Sequence, residues 1–373
     1  MKKGGCPVRP EKTISFAIVC ALCLTGCQKA PPAETVGQTE SVLPVMVTES
    51  ATETAAPTEP EPEEERFLLT FAGDCTLGAN PKNTYADVGF PRVVGDDFAY
   101  PFRNVASWFE SDDATFVNLE GTLTDQGNPA DKTYTFRGSP SYSHILTDNS
   151  VEVVTLANNH SFDYGQTGYD STRSVLEEAG VPYGERDTGV LIELECGLNV
   201  GLYGMVYYKL DVEDMKVEIA DLRARGAELV IVAPHWGVEG SYRPTQLQTD
   251  VGHAAIDAGA DIVWGSHPHV LQPIEEYGDG IIYYSMGNFC FGGNSKPEDF
   301  DTVMLQQEVI RSPANEISLG ELTIVPCSIS SDARVNNYQP TPMAEDSEEY
   351  ARVLSKLDGS FTGPNLKIRK IGK

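Results

Sequence analysis

Basic residues are scarce in this 373-residue chain: 27 Lys and Arg stand against 55 Asp and Glu, for a formal charge of -28. A surface this acidic repels phosphate backbones and anionic headgroups, so no nucleic-acid partner is expected. Long apolar runs are also few. The run "ISFAIVCALCL" near the N-terminus is too short and too abruptly ended to span a bilayer as a mature helix. Beyond residue 27 only Cys75, Cys196, Cys290 and Cys327 remain, and no CxxC pair joins them, which argues against structural zinc. Histidine is rarer still, at six residues, so where the histidines fall carries information.

Lys2, Lys3, Arg9 and Lys12 precede the apolar run, which is the pattern of an export leader. The run ends in Leu24-Thr25-Gly26-Cys27, which resembles the bacterial lipobox. That resemblance implies acylation of Cys27, so membrane lipid would hold the chain outside the cytoplasmic membrane without a spanning helix. An ordinary leader with a chance cysteine is the alternative. Residues 28–66 are rich in Pro, Thr, Glu, Ala and Ser, as in "TESATETAAPTEPEPEEE", with too little apolar content to offset the entropy of folding. They read as a self-repelling tether or, alternatively, as an acidic interaction tail. The organisation expected is a leader at 1–27, a linker at 28–66, a domain at 67–345 and a C-terminal helix with a basic end at 346–373. Export would permit disulfides, with three pairings open among the four cysteines.

From Phe67 onward, short β-branched and aromatic runs alternate with stretches of helical spacing, the signature of an α/β layer fold. Strands are expected at "RFLLTFA", "ATFVNL", "VEVVTLA", "LNVGLYG", "AELVIVAP", "ADIVWG", "GIIYYSM" and "EISLGELTIVPCSIS". Helices are expected at "YPFRNVASWFES", "GYDSTRSVLEEAG", "TQLQTDVGHAAIDAGA" and "PMAEDSEEYARVLSKLDG".

Five of these strands run straight into groups that bind metal or move protons. The first leads to Asp74, the second to Glu120, the third to Asn158-Asn159-His160, the fifth to His235 and the sixth to His267 and His269. Ligands of α/β sheets gather outside the carboxyl ends of strands, where separate loops converge. Singly, each residue has a structural account as a cap, a turn or a hydrogen-bonded histidine. Together they form a mixed nitrogen and oxygen set suited to Zn, Mn or Fe, as one ion or two, and too nitrogen-rich for calcium. Asp163, in "NNHSFDYG", is placed either to orient His160 as a general acid or to cap the helix that follows. Glu239 is either a partner of His235 or an exposed loop residue. Arg137, in "DKTYTFRGSP", is either a clamp for a substrate anion or a surface arginine. His144 and His253 lie in helix-like segments and read as structural.

The ordered motifs "FAGDCTLG", "VNLEG", "TYTFRGSP", "ANNHSFDYG", "PHWGVEGSYRPT", "AGADIVWGSHPHVLQPIE" and "YYSMGNFCF" resemble the CapA family of capsule and poly-γ-glutamate synthesis. That family is in turn similar to calcineurin-like metallophosphoesterases. The resemblance implies a four-layer sandwich, two mixed β-sheets flanked by helices, and a two-metal site. It implies that Asp74, Glu120, Asn159, His235, His267 and His269 are ligands, with Glu120 bridging, and that His160 is catalytic. It also implies an anionic surface polymer as substrate, polymer synthase subunits as partners and metal-dependent hydrolysis; the alternatives are a non-catalytic accessory subunit that binds metal and polymer, and a secreted phosphodiesterase unrelated to capsule. Two departures stand out: Thr76 occupies the place of the superfamily's Asp-x-His histidine, and Glu120 replaces an aspartate.

Overall fold

The computed structural model describes residues 63–82 and 88–367. The leader, Cys27, most of the acidic linker and residues 368–373 of the basic end lie outside them. In chain order the strands are β1 (Glu65–Thr76), β2 (Ala114–Leu119), β3 (Thr122–Leu123), β4 (Arg137–Gly138), β5 (Val153–Thr155), β6 (Tyr183–Gly184), β7 (Gly189–Glu193), β8 (Asn199–Val206), β9 (Leu229–His235), β10 (Ile262–Trp264), β11 (Ile274–Tyr277), β12 (Gly280–Tyr283), β13 (Asn288–Phe291), β14 (Asp301–Arg311), β15 (Ile317–Ser328) and β16 (Thr341–Pro342). The helices are α1 (Phe90–Val94), α2 (Ala106–Phe109), α3 (Ser143–Thr147), α4 (Gly165–Ala179), α5 (Val212–Ala224), α6 (Gln246–Asp257) and α7 (Glu348–Leu357).

Two mixed sheets result. The larger runs β16-β15-β14-β1-β2-β5-β6, with β13 beside the end of β1, and the smaller runs β11-β12-β10-β9-β8-β7. Alternation along each strand sorts side chains to two faces. Phe71, Phe116 and Val153 of the larger sheet meet Leu202, Ile231 and Trp264 of the smaller in one apolar layer. Val117 and Val154, one residue on, pack instead with Phe90, Phe102 and Leu176 of the helical side. On the smaller sheet Val230, Val232 and Val263 join Ile219 and Leu222 of α5 and Val251 and Ala255 of α6. The order is helix, sheet, sheet, helix, as the four-layer expectation has it.

Pairing in the middle of each sheet is parallel, β1 with β2 and β2 with β5, and β8 with β9 and β9 with β10, so these strands end on a common edge. There the sheets are stitched together: Trp264 Nε1 donates to the Ala72 carbonyl at 3.1 Å. The chain also crosses from β12 in one sheet to β13 in the other through Gly287, whose φ is +66°. Gly73 allows this approach, because a Cβ there would lie 2.1 Å from the Gly287 carbonyl oxygen.

The segment "YPFRNVASWFES" is not one helix. It is a series of turns ending in the single turn of α2. Pro101 lacks an amide donor, and the backbone closes three-residue bonds, Val105 to Phe102 and Trp108 to Val105, each 2.9 Å. The run "GIIYYSM" ends as a strand at Tyr283, before the crossing into β13. Strand β1 begins at Glu65, two residues ahead of the expected domain start at Phe67. At the other end, α7 buries Val353 and Leu357 in the layer between the sheets, so the C-terminal helix shares the domain's core. Among the described residues, Cys75, Cys196, Cys290 and Cys327 are free thiols, and all but Cys196 are buried.

Candidate metal centre

The common edge brings Asp74, Glu120, Asn159, His160, His235, His267 and His269 together. Asp74 sits near the end of β1, Glu120 follows β2, Asn159 and His160 occupy the turns after β5, His235 ends β9, and the last two histidines follow β10. His267 and His269 hold positive φ angles of 95° and 56°, on either side of Pro268. Left-handed backbone at two non-glycine residues costs free energy, and it turns both imidazoles toward the same space.

At the centre stands Glu120, fully buried, with neither carboxylate oxygen hydrogen-bonded. Its Oε1 lies 3.8 Å from His160 Nε2, 3.6 Å from His235 Nε2 and 3.7 Å from His269 Nε2. These gaps are too long for hydrogen bonds. The gaps to His235 and His269 match the roughly 3–4 Å between two donors that each bind one ion at about 2.0–2.2 Å. Asp74 Oδ2, also buried and without a hydrogen bond, lies 3.2 Å from His269 Nδ1. A second group of donors sits beside the first: His235 Nε2 is 3.0 Å from Asn159 Oδ1 and 3.1 Å from His267 Nδ1. Buried carboxylate oxygens without donors cost on the order of several kcal/mol of desolvation unless a cation faces them. The residues therefore fit a divalent ion.

The protonation pattern is of the same kind. Burial pushes the Glu120 carboxyl well above its ordinary range, against the pull of His269. Burial also lowers His235 well below the usual imidazole value, and with the charges of His269 and His160 it lowers His267 to about 3. Both rings are thus neutral, the form that offers a lone pair. His269 is the exception: burial lowers it, but Glu120 and Asp74 outweigh burial and hold it at about 10.

Around these groups runs a supporting layer that the sequence did not reveal. Asn118 donates to Asp74 Oδ1 at 2.8 Å, and Asn158 donates to Asn118 Oδ1 at 3.0 Å. Ser266 Oγ fixes His235 Nδ1 at 2.8 Å, and Asn288 Oδ1 sits 3.0 Å from His269 Nδ1. Asn118 ends an apolar strand and Asn288 lies in "GNF", so their types were visible but their partners were not.

Asp163 Oδ2 meets His160 Nδ1 at 2.7 Å and also accepts the Phe136 amide. Helix α4 starts at Gly165 behind Tyr164, with no side-chain cap, so Asp163 caps nothing. Lys132 pairs with Asp163 Oδ1 and donates to the Asn159 carbonyl at 2.9 Å. It lies in the irregular loop "NPADKTYTF", where no periodicity marks it. Burial lowers His160, with Asp163 pulling the other way. The Phe136 ring packs 4.3 Å from the His160 ring.

Glu239 approaches His267 and His269, with one donor atom of each of the three within 4.8 Å of the others. The Arg137 guanidinium stacks 4.8 Å over the Tyr164 ring, and among the described residues it bonds none of the candidate ligands. His144 stacks on Phe98, and His253 on Tyr277 beside Glu275, both away from the centre.

Residues 68–189 and 192–293, most of the domain and the whole of this centre, match the family described as bacterial capsule synthesis protein PGA_cap. The chain belongs to that family. It is 30% identical over 334 residues to the capsule biosynthesis protein CapA of Bacillus anthracis, covering 82% of this chain and 76% of that protein. It is 27% identical over 318 residues to the PGA biosynthesis protein CapA of Bacillus subtilis strain 168, covering 78% of each. Among solved structures, NAD nucleotidase of Haemophilus influenzae aligns with a TM-score of 0.41 at 11% identity, over 80% of this chain and 63% of that one. Within the PGA_cap match lie all the candidate ligands, from Asp74 to His269.

Proposed function

We propose that this PGA_cap protein is a lipid-anchored, extracytoplasmic hydrolase that uses one or two divalent transition-metal ions in making or exporting an anionic surface polymer of the poly-γ-glutamate type. The observation that carries the hydrolytic reading is Glu120: a buried carboxylate without a donor, facing three imidazole nitrogens at 3.6–3.8 Å. The polymer is supported by the names of the two Bacillus relatives, a capsule and a PGA biosynthesis protein. The anchor rests on the lipobox-like Leu24-Thr25-Gly26-Cys27. Acylated Cys27 and the acidic tether would hold the domain away from the membrane, within reach of polymer synthase subunits.

Asp74, Glu120, Asn159, His235, His267 and His269 would hold the metal. A bound ion supplies Lewis acidity, polarising the scissile group and making water nucleophilic near neutral pH. His160 would donate a proton to the leaving group through Nε2 from its doubly protonated, imidazolium form, which Asp163 favours against burial. Asp163 accepts at Nδ1 and keeps that nitrogen turned inward, as Lys132 holds Asp163 in place. The test is turnover of an activated phosphodiester and a γ-glutamyl amide by the Mn-loaded protein. His160→Ala is expected to lower kcat by roughly 10²–10⁴-fold with ion content unchanged. Equal turnover by both proteins would refute the assignment of His160. A Cys27→Ala chain should leave the membrane fraction, and its retention there would refute the anchor.

A second reading, an accessory subunit that binds metal and polymer without hydrolysis, is favoured by Thr76. Its hydroxyl is committed to the Glu120 carbonyl at 2.9 Å, so it does not replace the superfamily histidine. Bound metal with neither substrate turned over is the outcome that would select it.

A further inference from the structure

Thr76 leaves the Asp74 side of the centre short of one ligand, and the question is what fills its place. Strand β13 runs parallel to β1 with Asn288 directly opposite Asp74. Asn288 is 6% exposed, and its Oδ1 lies 3.0 Å from His269 Nδ1, the nitrogen that is 3.2 Å from the unpartnered Asp74 Oδ2. Its Nδ2 is occupied, donating to the His269 carbonyl at 3.3 Å. That bond fixes which way the amide faces and turns the oxygen toward Asp74 and His269.

Asn288 also reaches this point by a dedicated route. The chain leaves the smaller sheet after β12, turns at Gly287 and enters the larger sheet at Asn288, and the Asp74 amide donates to the Gly287 carbonyl at 2.9 Å. The crossing that ties the sheets together therefore delivers a neutral oxygen donor beside a buried carboxylate and an imidazole. An amide oxygen is a competent ligand for Mn or Zn in such a mixed set.

We propose that Asn288 Oδ1 is a direct ligand, completing with Asp74, His269 and bridging Glu120 a cation site distinct from that of Asn159, His235 and His267. This rests on the metal-binding reading above and adds the ligand that makes two ions feasible in spite of Thr76.

The test is anomalous diffraction at the zinc edge from crystals of the protein soaked in Zn²⁺, with zinc stoichiometry measured in solution for the wild type, Asn288→Ala, Asn288→Asp and Thr76→Ala. The expected result is two ions per chain, one of them about 2.0–2.2 Å from both Asn288 Oδ1 and Asp74 Oδ2. Asn288→Ala should retain one ion, while Asn288→Asp and Thr76→Ala retain two. An ion on Asp74 with the Asn288 amide left hydrogen-bonded to His269, or two ions bound equally by wild type and Asn288→Ala, would overturn the proposal and leave the metal reading intact. A wild-type protein that binds no zinc at any residue would instead remove that reading itself. Asn288→Asp, which keeps the side-chain shape, guards against a failure of Asn288→Ala to fold.

Discussion

Among the residues of the centre, burial and chemistry are in conflict. Glu120, Asp74 and Asp163 are carboxylates with no solvent exposure; Asp163 has a charged lysine against it, while Glu120 and Asp74 share the single imidazolium of His269. Lys132→Met should therefore act on His160 through Asp163. We expect turnover to fall at least about 10-fold with zinc content unchanged, since a general acid contributes roughly 10²–10⁴ and depends on its orientation. Unaltered turnover would show that Lys132 only supports the loop. Because an ion binds the folded form alone, wild-type protein at a free metal concentration of about 100 times Kd should gain about 2.7 kcal/mol of stability in denaturant titration. Glu120→Gln should gain almost none. The strand-end carboxylates and histidines could be read from the sequence because each follows directly on an apolar run whose end is visible. Lys132 and Asn288 could not. The first lies 31 residues from its carboxylate in an irregular loop, and the second faces Asp74 only because β13 changes sheets.

At the scale of elements, the strands that end in the site were readable and one that supports them was not. β14 carries Gln306, Gln307 and Glu308 in mid-strand, which breaks the apolar alternation by which a strand is recognised. The structure accounts for the two buried amides: Gln306 Nε2 donates to Thr70 Oγ1 at 3.1 Å, and Gln307 Oε1 accepts from the Tyr283 hydroxyl at 3.0 Å. Helix α7 docks on this strand through charge as well as apolar contact. Lys356, 2% exposed, donates to Asp299 and Asp301, and Arg352 forks onto Asp301 at 2.7 and 2.8 Å. Burial alone would raise the Asp301 carboxyl, but Arg352 and Lys356 outweigh it and hold it below the ordinary aspartate range. A depressed folded value means stability that is present above the unfolded pKa of about 3.9 and lost as pH falls below it. Melting of the wild type should therefore weaken more steeply below pH ~4 than melting of Asp301→Asn, and parallel curves would contradict this. Leu357→Ala, which empties a buried position between the sheets, should cost about 2–5 kcal/mol in denaturant titration.

Over the whole molecule, a chain with a formal charge of -28 is proposed to act on an anionic polymer. Long-range repulsion should slow encounter, and salt should relieve it, with a Debye length near 10 Å at 0.1 M. At fixed free metal, kcat/KM for an anionic phosphodiester should rise between about 10 and 150 mM ionic strength. A fall would mean that local positive charge at the centre dominates the approach. The layered architecture explains why one edge serves as the site: two parallel strand groups from different sheets end together, and Trp264 and the β12–β13 crossing hold those ends in register. What organises that edge is the buried set of carboxylates and imidazoles around Glu120. The most direct measurement is elemental analysis of the purified protein after Mn or Zn reconstitution and removal of free metal, with Glu120→Gln beside it. We expect at least one ion per wild-type chain and a clear loss in the variant, whereas a folded wild-type protein without bound metal would contradict the account.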